Sequence, residues 1–248
     1  MKHFGILIFL FFGLLSYSYA QKADKIIKKP LLKYENSFGI TFNSDGWGLG
    51  FRYGKAKTYF DKKTWDISFL FIRDAKQFRY YNEHDNSAKS FFYGKLINFY
   101  SLQVLRGRQK IWTEKPYWGG VQIRYFYFGG VNLGVGNPIY VYVIDYNNVG
   151  VVNLERYDPN KHDLDNIWGR GPFVKGLSSL EFNPGLSFKM GLNVEFGTYQ
   201  EKTRAIEAGF IVDAYAIPVQ IMAFNPAKYA MFRLYVAYRF GKRYNSTR

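Results

Sequence analysis

Ser179-Leu180-Glu181-Phe182-Asn183-Pro184-Gly185-Leu186-Ser187-Phe188-Lys189-Met190-Gly191-Leu192-Asn193-Val194-Glu195 alternates without a break. Every second residue from Leu180 to Val194 is apolar, while the intervening set from Glu181 to Glu195 is small, polar or charged. Side chains of a strand point to opposite faces in turn, so this stretch reads as one long strand with a greasy face and a wet face. The same period returns near the end, where Phe232, Leu234, Val236, Tyr238 and Phe240 alternate with Arg233, Tyr235, Ala237 and Arg239. Trp47 to Tyr53, Trp65 to Phe71 and Val121 to Tyr127 form further rows of the same kind.

Alternation alone also suits a soluble antiparallel sandwich. Several of these rows, however, exceed the five or six residues usual in soluble sheets. Their apolar faces are crowded with aromatic rings, as in the interfacial girdles of membrane barrels. The chain has 22 Tyr, 24 Phe and 5 Trp in 248 residues, against 4 Met. Past residue 20 no run of about 18 apolar residues occurs, so a helical span is not expected. The fold expected is all-β: an antiparallel, transmembrane, up-and-down β-barrel of about eight strands, with ten as the alternative.

The first twenty residues indicate the compartment. Lys2 and His3 precede the apolar run Ile6–Leu15, and Ser18-Tyr19-Ala20 supplies small residues before Gln21. That pattern predicts a signal peptide over 1–20, cleaved near Ala20/Gln21. The chain has no cysteine, which removes lipoprotein anchoring, disulfide scaffolds and thiolate metal sites. Its formal charge of +15 drops to +14 once Lys2 is removed. For a protein sent to the cell outer membrane, that balance points to outer-membrane lipid, and to another outer-membrane or periplasmic protein, rather than to nucleic acid.

The strands are read at 36–43, 46–57, 63–74, 90–106, 118–136, 179–196, 203–217 and 229–241. An even count returns both termini to the periplasmic side. Residues 21–35 then form a basic periplasmic lead-in and 36–248 the barrel. Residues 107–117 become a periplasmic turn, and 137–178 a long outer loop whose stretch Pro138–Asp145 could be a further strand or an extension of the fifth above the bilayer. The inward positions carry Arg52, Lys95, Arg124, Lys189, Arg233 and Arg239 with Asp66, Glu181, Glu195, Glu207 and Asp213. Mixed signs in a narrow lumen predict a cross-lumen ion-pair network and a closed interior, because unpaired charge there is costly.

At this point the chain resembles the small, mostly uncharacterised outer-membrane β-barrel proteins of Bacteroidota. The resemblance is carried by Gly46-Trp47-Gly48-Leu49-Gly50-Phe51-Arg52-Tyr53-Gly54, by Gly94-Lys95 with Asn98-Phe99-Tyr100, and by Tyr157-Asp158-Pro159 to His162. Pro184-Gly185-Leu186, Gly191 to Gly197 and the close Tyr238-Arg239-Phe240-Gly241-Lys242-Arg243 extend it. It implies an outer-membrane protein and carries over no catalytic or ligand residue. Here eight residues follow Phe240, so recognition by the assembly machinery would use an internal aromatic.

Other constellations are weaker. Asp158, Asn160, His162, Asp163 and Asp165 suggest a cation loop, but the positions that should be Gly and Glu are Asp163 and Gly169. His162 with Ser178 or Ser179 and Asp163 or Asp165 is the one set that could serve acyl transfer, and no Gly-x-Ser-x-Gly turn supports it. The glycines at 46, 48, 50 and 54 lack dinucleotide-fingerprint spacing and read as lumen space. The expectation is therefore a non-enzymatic barrel with a structural or accessory role, such as that of a subunit of an outer-membrane complex, needing no cofactor or metal. A passive pore is the alternative, and a lipid-modifying enzyme the third reading.

Overall fold

The computed structural model describes residues 32–81, 88–114, 120–144, 151–196 and 201–245. The expected signal peptide, most of the expected basic lead-in, His84 and residues 115–119 lie outside them. Eight long strands make the wall: β1 (Tyr34–Asn43), β2 (Gly46–Ala56), β3 (Asp61–Ile72), β6 (Ile97–Thr113), β7 (Gln122–Pro138), β11 (Glu181–Glu195), β12 (Lys202–Val219) and β13 (Lys228–Tyr244). Each pairs antiparallel with the next, and β13 returns to β1 to close the barrel. Closure leaves no strand edge unpaired. Among the described residues no helix is long and apolar enough to cross a membrane.

The register fixes the barrel's shape. From Tyr34, successive cross-strand partners are Lys55, Lys63, Arg108, Tyr127, Met190, Phe210 and Leu234. The circuit returns to β1 at Ser44, whose N–H donates to the Leu234 carbonyl at 2.9 Å. The stagger is thus ten residues of β1. Ten rises of about 3.3 Å against eight strand spacings of about 4.8 Å tilt the strands by roughly 40°, within the range that closed barrels adopt. An interior of this size has room for side chains and little else.

Parity then sorts the side chains. Phe232, Leu234, Val236, Tyr238 and Phe240 are all exposed outside, while Arg233, Tyr235, Ala237 and Arg239 between them are buried inside. Leu186 at 66% and Phe188 at 42% exposure do the same on β11, where they bracket the buried Ser187 and Lys189. In a water-soluble protein so continuous a sheath of exposed aromatic and aliphatic side chains would be an aggregation surface. Inside, Phe99, Leu105, Phe126, Phe128, Ile211 and Tyr215 join one apolar cluster.

Three sequence expectations are corrected here. The fourth barrel strand is not 90–106 but Ile97–Thr113, so the expected turn at 107–117 is largely strand. Gly107, Arg108, Gln109 and Lys110 read as a polar turn, yet they keep the ladder to β7. Second, Tyr140–Ile144 adds no wall strand. It is β8, the middle of a separate sheet flanked by β9 (Val152–Arg156) and β10 (Ile167–Arg170), and the ten-strand alternative falls. Third, β1 starts at Tyr34, which takes Tyr34 and Glu35 out of the lead-in.

The end of the barrel opposite the termini is covered. A short hairpin pairs β4 (Arg79–Tyr80) with β5 (Phe91–Phe92). The segment after it crosses the mouth, with Leu96 N–H donating to the Ile221 carbonyl at 2.9 Å and Ala223 N–H to that of Gly94 at 2.7 Å. Gly94 turns the chain there at φ 75°, and a Cβ would meet the Phe224 ring at 2.9 Å. Ile97, Val219, Ile221 and Met222 pack beneath this crossing as part of the inner apolar cluster. A short helix α1 (Phe173–Gly176) and a 3₁₀ turn (Leu177–Ser179) then lead back into β11.

Candidate functional site

The buried charge of the barrel interior gathers in three tiers along the axis. The central tier begins with Arg52 and Asp66, directly opposed on β2 and β3. Arg52 Nε and Nη2 donate to Asp66 Oδ2 at 2.8 and 2.5 Å, and Nη2 also reaches Glu207 Oε2 at 3.2 Å. Nη1 of Arg52 pairs with the other oxygen of Glu207. Arg239 repeats the grip from β13, with Nε on Glu207 Oε2 at 2.6 Å and Nη2 on Asp66 Oδ2 at 2.9 Å. Asn193 donates to Glu207 Oε1 at 2.9 Å, and Lys189 Nζ stands 3.7 Å from Asp66 Oδ1.

Three cations thus share two carboxylates. Aromatic faces take up part of the excess: the Arg52 guanidinium lies 4.7 Å from the Phe128 centroid and 5.0 Å from that of Phe126. Lys189 Nζ lies 4.9 Å from the ring centre of Tyr235. Away from water such contacts contribute about 2 kcal/mol. The glycines of this tier make space rather than bind phosphate. A Cβ on Gly39 would stand 3.0 Å from the Arg239 side chain, so a larger residue would push against the guanidinium.

At the end that carries the chain termini, Arg243 Nε donates to Glu35 Oε2 at 2.6 Å and its Nη2 pairs with Glu195. Arg124 Nη2 is 2.7 Å from Glu195 Oε2, and Lys62 pairs with Glu35. At the opposite end Arg233 pairs with Asp213 and stands 3.6 Å from Asp45 Oδ2. Asp213 also accepts from Gln103 Nε2 at 2.9 and 3.1 Å and from the Ser187 hydroxyl. Burial pushes the Asp45 carboxyl above the usual carboxylate range despite Arg233 beside it.

Of the residues expected in the lumen, Arg52, Asp66, Arg124, Lys189, Glu195, Glu207, Asp213, Arg233 and Arg239 stand in these tiers. Two stand elsewhere. Glu181 sits at the outer rim, where its Oε1 is 2.5 Å from Arg156 Nη2 of β9. Lys95 lies in the crossing over the mouth, buried to 2% exposure, with its ammonium 5.0 Å from the Phe92 ring centre. Burial, then the nearby Arg73 and Arg170, lower its pKa to about 8. Glu35, Lys62 and Arg243 were missed, although period two continued through β13 places Arg243 on the face of Arg239.

The histidine loop is bonded largely to its own backbone. Asp158 N–H donates to His162 Nδ1 at 3.0 Å, and Nε2 faces Glu155 Oε2 at 3.3 Å. The Asp158 carboxylate accepts from the Asn160 N–H at 3.0 Å, and the Ser178 hydroxyl donates to the Lys175 carbonyl at 2.9 Å. His162 is thus held by the Asp158 backbone and faces Glu155, while Ser178 is held by the Lys175 backbone. Among the described residues no group of three His, Asp or Glu side chains is placed to hold a metal ion.

No protein-family model matches the chain, and no curated protein matches it. Solved barrels are similar in form. Neisserial surface protein A aligns over 85% of this chain and 96% of its own, at 8% identity and a TM-score of 0.40. Ail, the attachment invasion locus protein of Yersinia pestis, aligns over 86% of this chain and 100% of its own, at 8% identity and a TM-score of 0.38. The N-terminal β-barrel domain of Pseudomonas aeruginosa OprF aligns over 85% and 97%, at 10% identity and a TM-score of 0.35. Likeness at this level is one of form alone.

Proposed function

We infer that this chain is an integral outer-membrane β-barrel with a sealed lumen and a non-enzymatic, structural or accessory role. The observation that carries the reading is the inversion of its two faces. Leu234 is 59% exposed outside while its neighbours Arg233 and Tyr235 are buried to 1% and 3% inside. Only a solvent of acyl chains makes that arrangement favourable over a whole closed sheet. The signal peptide and the resemblance to the Bacteroidota group agree with this location. The interior is bonded to itself through ion pairs, so it offers lipid or partner an outer wall and two rims rather than a channel.

Reconstituted protein in planar bilayers should give no sustained conductance, and deletion of its gene should leave lipid A unchanged. Large, stable openings would instead favour a passive pore. Altered lipid A that His162→Ala reproduces would favour the lipid-modifying enzyme.

A further inference from the structure

Charge interrupts the apolar wall most densely on β2, β3 and β6. Down β6 the outward residues run Tyr100, Leu102, Val104 and then Arg106, Arg108 and Lys110. Arg108 stands opposite Lys63 of β3, and Lys63 opposite Lys55 of β2. Three neighbouring strands thus present five cations near the end that carries the termini. Lys55, Lys63 and Arg106 are exposed. Among the described residues one carboxylate pairs with them, Asp61, at 3.7 Å from Arg108.

Like charges directly opposite across a sheet are destabilising, and here they occur in succession. A lone arginine on the lipid face costs about 2–4 kcal/mol at the midplane and about 0–1 near the interface. Arg106 is flanked by two residues that suit a lipid. On one side its guanidinium lies over Trp65, 5.1 Å from the ring centre. On the other its cross-strand partner is Gly129, where nothing stands within 4 Å of a Cβ position. That leaves a notch in the wall beside the charge, next to the exposed Tyr127 and Val131.

We propose that Lys55, Lys63, Arg106, Arg108 and Lys110, with Trp65 and the Gly129 notch, bind the headgroup of an anionic phospholipid in the leaflet nearest the chain termini. The proposal rests on the membrane reading above. The phosphate would accept from the guanidinium and ammonium groups, and an acyl chain would lie in the notch. A protein partner would have to bring several carboxylates into the lipid to answer the same cations, whereas the notch beside Arg106 is flanked by the Tyr127 ring and Val131. A lipid therefore fits the face better.

The test compares wild type with Lys63→Gln/Arg106→Gln/Arg108→Gln, and with Arg204→Gln/Lys242→Gln on β12 and β13 as a control. Each is inserted into phosphatidylcholine vesicles holding a minor share of spin-labelled phosphatidylglycerol or phosphatidylcholine, and the motionally restricted fraction is read. Wild type and control should prefer the acidic lipid on the order of tenfold, and the triple variant should fall close to parity. If the triple variant fails to insert, Arg106→Gln alone should lower the preference, and added salt should lower it in wild type. Inserted wild type without preference, or a triple variant that keeps it, overturns the site, as does selective cross-linking to an acidic protein without lipid preference. Failure of wild type to insert into any vesicle would overturn the membrane reading as well.

Discussion

Glu207→Gln should be among the most damaging single changes inside the barrel. The carboxylate of Glu207 is held by Arg52 through both of its oxygens, by Arg239 Nε at 2.6 Å and by Asn193 Nδ2 at 2.9 Å. Its side chain is fully buried. Neutralising it leaves Arg52, Lys189 and Arg239 around Asp66 alone, so two positive charges stand uncompensated instead of one. Removing one partner of a buried pair costs about 3–5 kcal/mol, because the other charge is left uncompensated. Arg52→Met should cost less, because Arg239 and Lys189 still hold both carboxylates.

Combining the two restores the wild-type balance of one excess cation in the tier. The double variant should therefore be less damaged than the sum of the singles, by at least about 1 kcal/mol. Urea unfolding of vesicle-inserted protein, followed by tryptophan fluorescence, measures all four corners of the cycle. Strict additivity, or a Glu207→Gln cost below about 1 kcal/mol, would mean that the central tier is not a coupled network.

Other outcomes follow from the same geometry. Leu234→Arg or Leu186→Arg should lower stability by about 2–4 kcal/mol, and their replacement by Ala much less, in the same urea assay; an arginine tolerated at both positions would contradict a lipid-facing wall. Lys95→Met should stabilise the protein by about 1–3 kcal/mol at pH 7, since burial disfavours the ammonium there. The folded pKa of Lys95, about 8, lies below the unfolded value. Its cost is thus complete below pH 8 and fades towards about pH 10.5, so thermal unfolding of variant and wild type should converge across that window. An epitope inserted at Asn160 should label on intact cells, and labelling only after the outer membrane is broken would reverse the orientation.

The strands that proved easiest to read were those whose outward face is uniformly apolar. β11 and β13 show period two over their whole length, and their inward and outward faces followed from parity alone. β6 was ended too early because Arg108 and Lys110 face outward, where a lipid-facing strand should be greasy; polar residues there look like a turn. Tyr140 to Ile144 is apolar but short, and its place in a separate sheet depends on pairing with Val152–Arg156 and Ile167–Arg170, which no local pattern encodes. Parity identified most lumen charges but not their partners. Arg239 meets Asp66 from 173 residues away, a match set by barrel closure. Glu35, Lys62 and Arg243 were hidden because strand ends are the least legible part of any pattern.

The central claim is that one face of a closed sheet meets lipid and the other meets only itself. Because the chain has no cysteine, each position from Ala230 to Phe240 can carry a single introduced cysteine and one spin label. Oxygen, which concentrates in acyl chains, and a water-soluble nickel complex then report each label's surroundings in lipid vesicles. High oxygen accessibility at 232, 234, 236 and 238, with low values at 233, 235 and 237 and little nickel at any of them, is the expected result. Access by the nickel complex at 234 or 236, or a profile without the two-residue period, would contradict the lipid-embedded barrel.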